Sequence, residues 1–322
     1  MTEHPLLAAH SSTAPVRGGV RGRLVNFILR RYFKRRLQHI EFNAASIADM
    51  RKRMEVVARR AGRRGRGLKI EQRTMAGVPV EILAPTGASD QLPVVVYFHG
   101  GAFVAGSPST HRSLTASLAA DLPARVIVVD YRLAPEHPFP AALDDVTAVF
   151  HALLDEVPAG RIAFAGDSAG GNLVLTTMLR ARDAGVALPA AAVALSPWTD
   201  LTGSGASVQD NAQHDAMLPG DKIELAARLY APQDDLRNPL LSPVFADLGG
   251  LPPLLLHVGT TEILRDDATR VLIGARDAGV DATLRLWQDL PHVFHIFGRQ
   301  LPAARLAQAE LANFLRARLN AS

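Results

Sequence analysis

The chain has 322 residues, 48% of them hydrophobic, no cysteine and a formal net charge of +4. This length and apolar content suit one large domain with a buried core and an inserted lid better than two independent domains. Without cysteine there are no disulfides and no thiolate metal sites, and no His-Glu-x-x-His pattern or phosphate loop appears, so neither a metal nor a cofactor is expected.

Charge is unevenly distributed. Residues 1–70 carry 17 Lys or Arg against 4 Asp or Glu, whereas the remainder carries 18 against 27. Within the basic part, residues 24–37 would form a helix with apolar residues on one face and a dense basic face beside it. The simpler reading is a cap helix whose arginines pair with the acidic remainder; the other is an anionic membrane surface. No nucleic-acid motif accompanies the charge, so no nucleic-acid partner is expected. Gly62, Gly65 and Gly67 sit among arginines after no strand, which argues against phosphate binding there. Met1-Thr2-Glu3-His4-Pro5 lacks a basic region ahead of an apolar one, and no apolar run reaches about 18 residues, so a cytoplasmic protein is the default expectation.

Apolar runs at 78–83, 93–98, 125–129, 161–165, 190–195, 254–258 and 282–287 read as strands. They alternate with helical patterns near 112–120, 140–155, 169–184, 265–278 and 303–319, a βαβ series that predicts an α/β fold around a mostly parallel sheet. Residues 201–245 break the alternation with polar, glycine-containing sequence and one helical stretch near 221–230. The expected organisation is a catalytic core of residues 71–200 and 246–322, an N-terminal basic cap segment of residues 1–70 and an inserted cap segment of residues 201–245.

The run at 161–165 leads into Gly166-Asp167-Ser168-Ala169-Gly170-Gly171 and then a helix start. A serine in a sharp strand-to-helix turn lifts its hydroxyl above the sheet edge, which only small neighbours permit, so Ser168 is the expected nucleophile. Upstream, the strand at 93–98 runs into His99-Gly100-Gly101-Ala102-Phe103, a glycine loop at a strand's carboxyl end. Backbone N–H groups of Gly100 and Gly101, with that of Ala169 after the nucleophile, are the expected donors to a tetrahedral oxyanion.

Tyr97-Phe98-His99-Gly100-Gly101, Asp130-Tyr131-Arg132-Leu133-Ala134-Pro135-Glu136, Phe139-Pro140-Ala141-Ala142, the serine motif, Ser196-Pro197-Trp198 and Leu251-Pro252-Pro253-Leu254, in that order, resemble the hormone-sensitive-lipase family of α/β-hydrolase carboxylesterases. The resemblance spans most of residues 76–320 and is strongest to bacterial esterases and monoterpene lactone hydrolases. Ala102 stands where that family usually has a third glycine.

The resemblance implies the order serine, acid, histidine along the chain. Four histidines follow Ser168: His214, His257, His292 and His295. His292 lies in a loop after a strand and falls on the family's terminal histidine motif, with His295 as the alternative. Glu262 falls where the family usually has aspartate, with Asp266 as the alternative. The other carboxylates of the matching motifs, Asp167 among them, are expected to hydrogen-bond backbone and hold loops. Phe103, Trp198, Met217, Leu218, Val293 and Phe294 are the candidate apolar pocket wall. The expected function is hydrolysis of short to medium acyl esters, lactones included, through an acyl-enzyme. An amidase or deacetylase on the same residues is the first alternative. A non-catalytic ligand-binding protein, as plant gibberellin receptors of similar fold are, is the second.

Overall fold

Strands that are buried on both faces need no polar alternation, and the central apolar runs of this chain behave accordingly. The computed structural model describes residues 9–14, 18–61, 67–89 and 91–319. The glycine-arginine stretch at 62–66 and Met1-Thr2-Glu3-His4-Pro5 lie outside the described residues. The strands are β1 (Ser11–Thr13), β2 (Leu68–Met75), β3 (Val78–Pro85), β4 (Val94–Phe98), β5 (Arg125–Val129), β6 (Ile162–Asp167), β7 (Ala191–Leu195), β8 (Leu254–Gly259) and β9 (Ala282–Trp287). They form one sheet in the order β1-β9-β8-β7-β6-β4-β5-β3-β2, parallel from β1 to β5 and antiparallel at β3 and β2.

The helices are α1 (Gly19–Ile28), which passes through a π-helical turn, Leu29–Lys34, into α2 (Arg35–His39), then α3 (Ala44–Ala61), α4 (Pro108–Asp121), α5 (Ala141–Leu154), α6 (Ala169–Asp183), α7 (Ser207–Asp210), α8 (Ile223–Tyr230), α9 (Arg265–Asp277) and α10 (Pro302–Leu319). Side chains of a strand point alternately to the two faces of the sheet. Val94, Val96 and Phe98 of β4 accordingly join the core shared with α5, α6 and α9, while Val95 and Tyr97 join the one shared with α4 and α10.

The expected α/β architecture is present, with one correction to the expected boundaries. Residues 1–70 do not all precede the sheet: β1 pairs with β9 at one edge, Ser11 opposite Leu284, and β2 begins at Leu68 on the other. The segment of α1 through α3 and the 201–245 segment meet where Lys34 Nζ donates to the carbonyls of Ala212 (2.6 Å) and Asp215 (2.8 Å). No described helix is long and apolar enough to cross a membrane.

Close approach of β4, β6 and α6 is what brings the two glycine motifs together. A Cβ on Gly170 would collide with the Phe98 carbonyl, and one on Gly166 with the Gly170 carbonyl. Because those neighbours are backbone, they cannot rotate away. Gly170→Ala is expected to cost about 1–3 kcal/mol or more, read as a lower midpoint in denaturant unfolding; an unchanged midpoint would show that the turn has slack.

Candidate active site

The turn from β6 into α6 holds Ser168 at φ +54° and ψ −120°, a region an L-residue occupies only when its surroundings over-determine it. Three backbone bonds do so. Ser168 N–H donates to Leu195 O at 2.8 Å, and Ser168 O accepts from Asn172 N–H and Trp198 N–H, both at 3.1 Å. The Asn172 amide also donates to Trp198 O (2.9 Å) and Leu241 O (2.8 Å), tying the helix start to the loop after β7.

Ser168 Oγ lies 3.0 Å from His292 Nε2, and His292 Nδ1 lies 2.7 Å from Glu262 Oε2. The other oxygen of Glu262, Oε1, accepts from Ser196 Oγ at 2.7 Å and from Gly259 N–H at 2.5 Å, so the carboxylate is fixed from both ends. Ser196 Oγ in turn accepts from Val293 N–H at 3.2 Å, which ties the acid to the histidine loop through a residue the sequence reading assigned no role. Burial alone would pull the His292 pKa down. The hydrogen bond and charge of Glu262, helped by Asp215 and Asp167, outweigh it and hold the pKa above its ordinary value.

The alternatives are occupied elsewhere. Asp266 accepts from Ser207 N–H at 2.9 Å and pairs with Arg265 at 3.0 Å. His295 Nε2 sits 3.2 Å from His257 Nδ1, both rings fully buried, and burial pushes the His295 pKa down to about 3. His214 is exposed in the 201–245 segment, where its carbonyl accepts from Arg30.

One expected oxyanion donor needs correcting. Gly100 N–H donates to Asp167 Oδ1 at 3.1 Å and is therefore engaged. The same oxygen accepts from Tyr97 OH at 2.6 Å, and Asp167 Oδ2 lies 3.3 Å from His111 Nε2. Burial opposes both charges of this pair, but each outweighs it for the other, holding His111 above and Asp167 below its ordinary pKa. Gly100 thus anchors the loop. The N–H groups of Gly101 and Ala102 have no acceptor among the described residues, and both residues border the pocket. Ala169 is the first residue of α6, where an N–H has no intrahelical partner. Gly101, at φ +126°, is where the loop requires glycine: its carbonyl accepts from Val104 and Ala105 N–H at 3.0 and 2.9 Å.

Above Ser168 and His292 lies a mostly apolar cavity of about 230 Å³. Trp198, Met217, Leu218 and Val293 line it as expected. Phe103 and Phe294 do not. The Phe103 ring stacks on Tyr230 of α8, centroids 3.8 Å apart and planes 7° from parallel, fastening the glycine loop to the 201–245 segment. Phe294 packs against Trp287, 5.2 Å between centroids, in a separate apolar cluster.

A family model described as the alpha/beta hydrolase fold matches residues 95–296. The crystal structure of an esterase from the bacterial hormone-sensitive lipase family superposes with a TM-score of 0.86 at 37% identity, covering 96% of this chain and 99% of that one. The chain belongs to the hormone-sensitive-lipase family. It is also similar to a hormone-sensitive lipase from a metagenome library, at 40% identity and a TM-score of 0.86 over 92% of this chain and 98% of that one. An acetyl-hydrolase of Streptomyces hygroscopicus is 42% identical over 223 residues, 69% of this chain and 75% of its own. An esterase of Acinetobacter venetianus is 38% identical over 243 residues, 74% and 79% of the two chains.

Two features of this hormone-sensitive-lipase-family chain follow from its own residues. Ala102 carries its methyl at φ +55° on the pocket wall. Phe33, Leu37, Phe42, Met50 and Met54 line the same pocket from the N-terminal helices and the connection between α2 and α3, residues that no site motif pointed to. The signal for Phe33 and Leu37 was present in the amphipathic pattern at 24–37, but periodicity does not say what an apolar face covers.

Proposed function

We propose that the chain is a serine carboxylesterase acting on small-molecule esters, with Ser168 as nucleophile, His292 as general base and acid, and Glu262 as the orienting carboxylate. What supports this above all is the unbroken line Ser168 Oγ, His292 imidazole, Glu262 carboxylate, with links of 3.0 and 2.7 Å, opening into an apolar cavity. Ser168 Oγ attacks the acyl carbonyl while Nε2 takes its proton; Nδ1–H stays bonded to Glu262, which stabilises the imidazolium. The carbonyl oxygen becomes an oxyanion received by N–H groups of Gly101, Ala102 and Ala169, each such donor contributing about 3–4 kcal/mol in comparable sites. Collapse expels the alkoxide, which leaves with the proton from Nε2. Water then attacks the acyl-serine with Nε2 as base, releasing the acid and restoring Ser168.

Esters are favoured over amides because an alkoxide is the easier leaving group, and the name of the Acinetobacter venetianus relative, an esterase, points the same way. Cap segments over an apolar cavity of about 230 Å³ favour short to medium acyl chains over a broad lipid face. A panel of p-nitrophenyl esters of graded acyl length, run beside a lactone and an anilide, tests the reading. Butyrate is expected to turn over faster than long-chain emulsions. Faster long-chain turnover removes the acyl-length assignment, an anilide rate above that of the matching ester turns the reading to an amidase, and no turnover with retained ligand binding turns it to a binding protein.

A further inference from the structure

The segment that lines the pocket with Phe33 and Leu37 also turns an apolar face to water. Six of the eleven large hydrophobic side chains exposed among the described residues lie on it: Val20 (73%), Leu24 (57%), Phe27 (64%), Ile28 (45%), Tyr32 (67%) and Phe33 (36%). At 100° per residue, Val20, Leu24, Phe27 and Ile28 fall on one side of α1, opposite the buried Gly22, whose missing side chain lets α1 approach Leu290. Exposed apolar residues scattered singly need no explanation, but a continuous ridge of four does.

Residues 18–39 also contain seven Lys or Arg and no acid. The expected pairing of these charges with the rest of the protein holds for some of them only. Lys34 and Arg30 turn onto carbonyls of the 201–245 segment, and Arg36 pairs with Asp49 at 3.1 Å. The π-helical turn at Leu29–Lys34 takes more residues per turn than an α-helix, and Lys34 at its end is buried. Arg21, Arg23, Arg31 and Arg35 are exposed and form no ion pair with any described residue; the Arg31 guanidinium lies over the Tyr32 ring, 5.6 Å from its centroid.

An apolar ridge flanked by unneutralised arginines fits a surface that is anionic outside and apolar just beneath. A second copy of the same face matches the ridge but sets arginine against arginine, and like charges oppose it. We propose that residues 19–39 dock the protein on an anionic lipid bilayer, with Val20, Leu24, Phe27 and Ile28 at the acyl boundary and Arg21, Arg23, Arg31 and Arg35 on lipid phosphates. Docking does not depend on the hydrolytic reading, because it is measured without turnover.

The test is co-sedimentation of the full chain carrying Ser168→Ala with vesicles of phosphatidylcholine alone or with a third phosphatidylglycerol. Binding is expected to the anionic vesicles only and to weaken at high salt. Leu24→Ser with Phe27→Ser should lower the partition about tenfold or more, and Arg31→Gln or Arg35→Gln about fivefold each. In a background with Ser168 intact, none of these should change turnover of soluble p-nitrophenyl butyrate, which reports the fold. Absence of binding to either vesicle overturns the proposal, as does equal binding by the ridge variant. A dimer in solution that the ridge variant dissolves also overturns it and gives the face to a second copy.

Discussion

Ser168→Ala is expected to abolish ester hydrolysis, lowering kcat by about six orders of magnitude, the loss seen when a triad nucleophile of this kind is removed. The turn should survive. Ser168 is held at φ +54° by bonds through its backbone to Leu195, Asn172 and Trp198, none of which uses the hydroxyl. The hydroxyl's own link is the 3.0 Å bond to His292, whose loss costs about 1 kcal/mol of stability. Rate and fold therefore separate cleanly. A phosphonate serine reagent should label the wild type once, at Ser168, and label neither Ser168→Ala nor His292→Ala, the second because the hydroxyl has lost its base. Undiminished turnover by folded Ser168→Ala, or labelling mapped to another residue, would remove Ser168 from the role of nucleophile.

How legible each part was depended on how local its cause is. Central strands such as Val94–Phe98 and Ala191–Leu195 are buried on both faces, and so they stood out as unbroken apolar runs. The outer strand Leu68–Met75 was not visible: Lys69, Glu71 and Arg73 face water, and its ladder to Val78–Pro85 leaves no apolar run to read. Ser11–Thr13 is shorter than any pattern can define. The nucleophile turn was legible because its glycines are needed within a few residues of Ser168. The role of Gly100 was not, because the acceptor of its N–H is a carboxylate 67 positions away. Phe103 and Phe294 adjoin site residues in sequence, yet backbone dihedrals decide direction. Phe103 itself sits at φ +61° and Phe294 follows Val293 at φ +47°, and both rings turn into apolar clusters rather than toward Ser168.

Glu262 is the residue on which this chain differs in kind from the aspartate usual in the resembled family, and it carries the second large effect. Glu262→Gln keeps the size and the bonds from Ser196 and Gly259 to one oxygen, but replaces the charge facing His292 Nδ1 with an amide. An amide does not stabilise the imidazolium and can hold the wrong tautomer, so kcat should fall by about 10⁴. The pH profile gives an independent readout. His292 must be neutral to act as base, so kcat/KM rises as pH passes its pKa. Burial lowers that pKa and Glu262 raises it, with Glu262 prevailing. Removing the charge leaves burial opposed only by the charges of Asp215 and Asp167, so the residual activity of Glu262→Gln should have its acid limb at lower pH than the wild type. Glu262→Asp restores the charge but draws the carboxylate back by about one bond length, roughly 1.5 Å, so its rate should fall between the two. Asp266→Asn disturbs only the contacts to Ser207 and Arg265 at the start of the Arg265–Asp277 helix, a stability cost of about 1 kcal/mol or less with little change in rate. If, at equal folded yield, Asp266→Asn proved more damaging than Glu262→Gln, or if the acid limb of Glu262→Gln did not move, the orienting acid would have to be sought elsewhere than at Glu262.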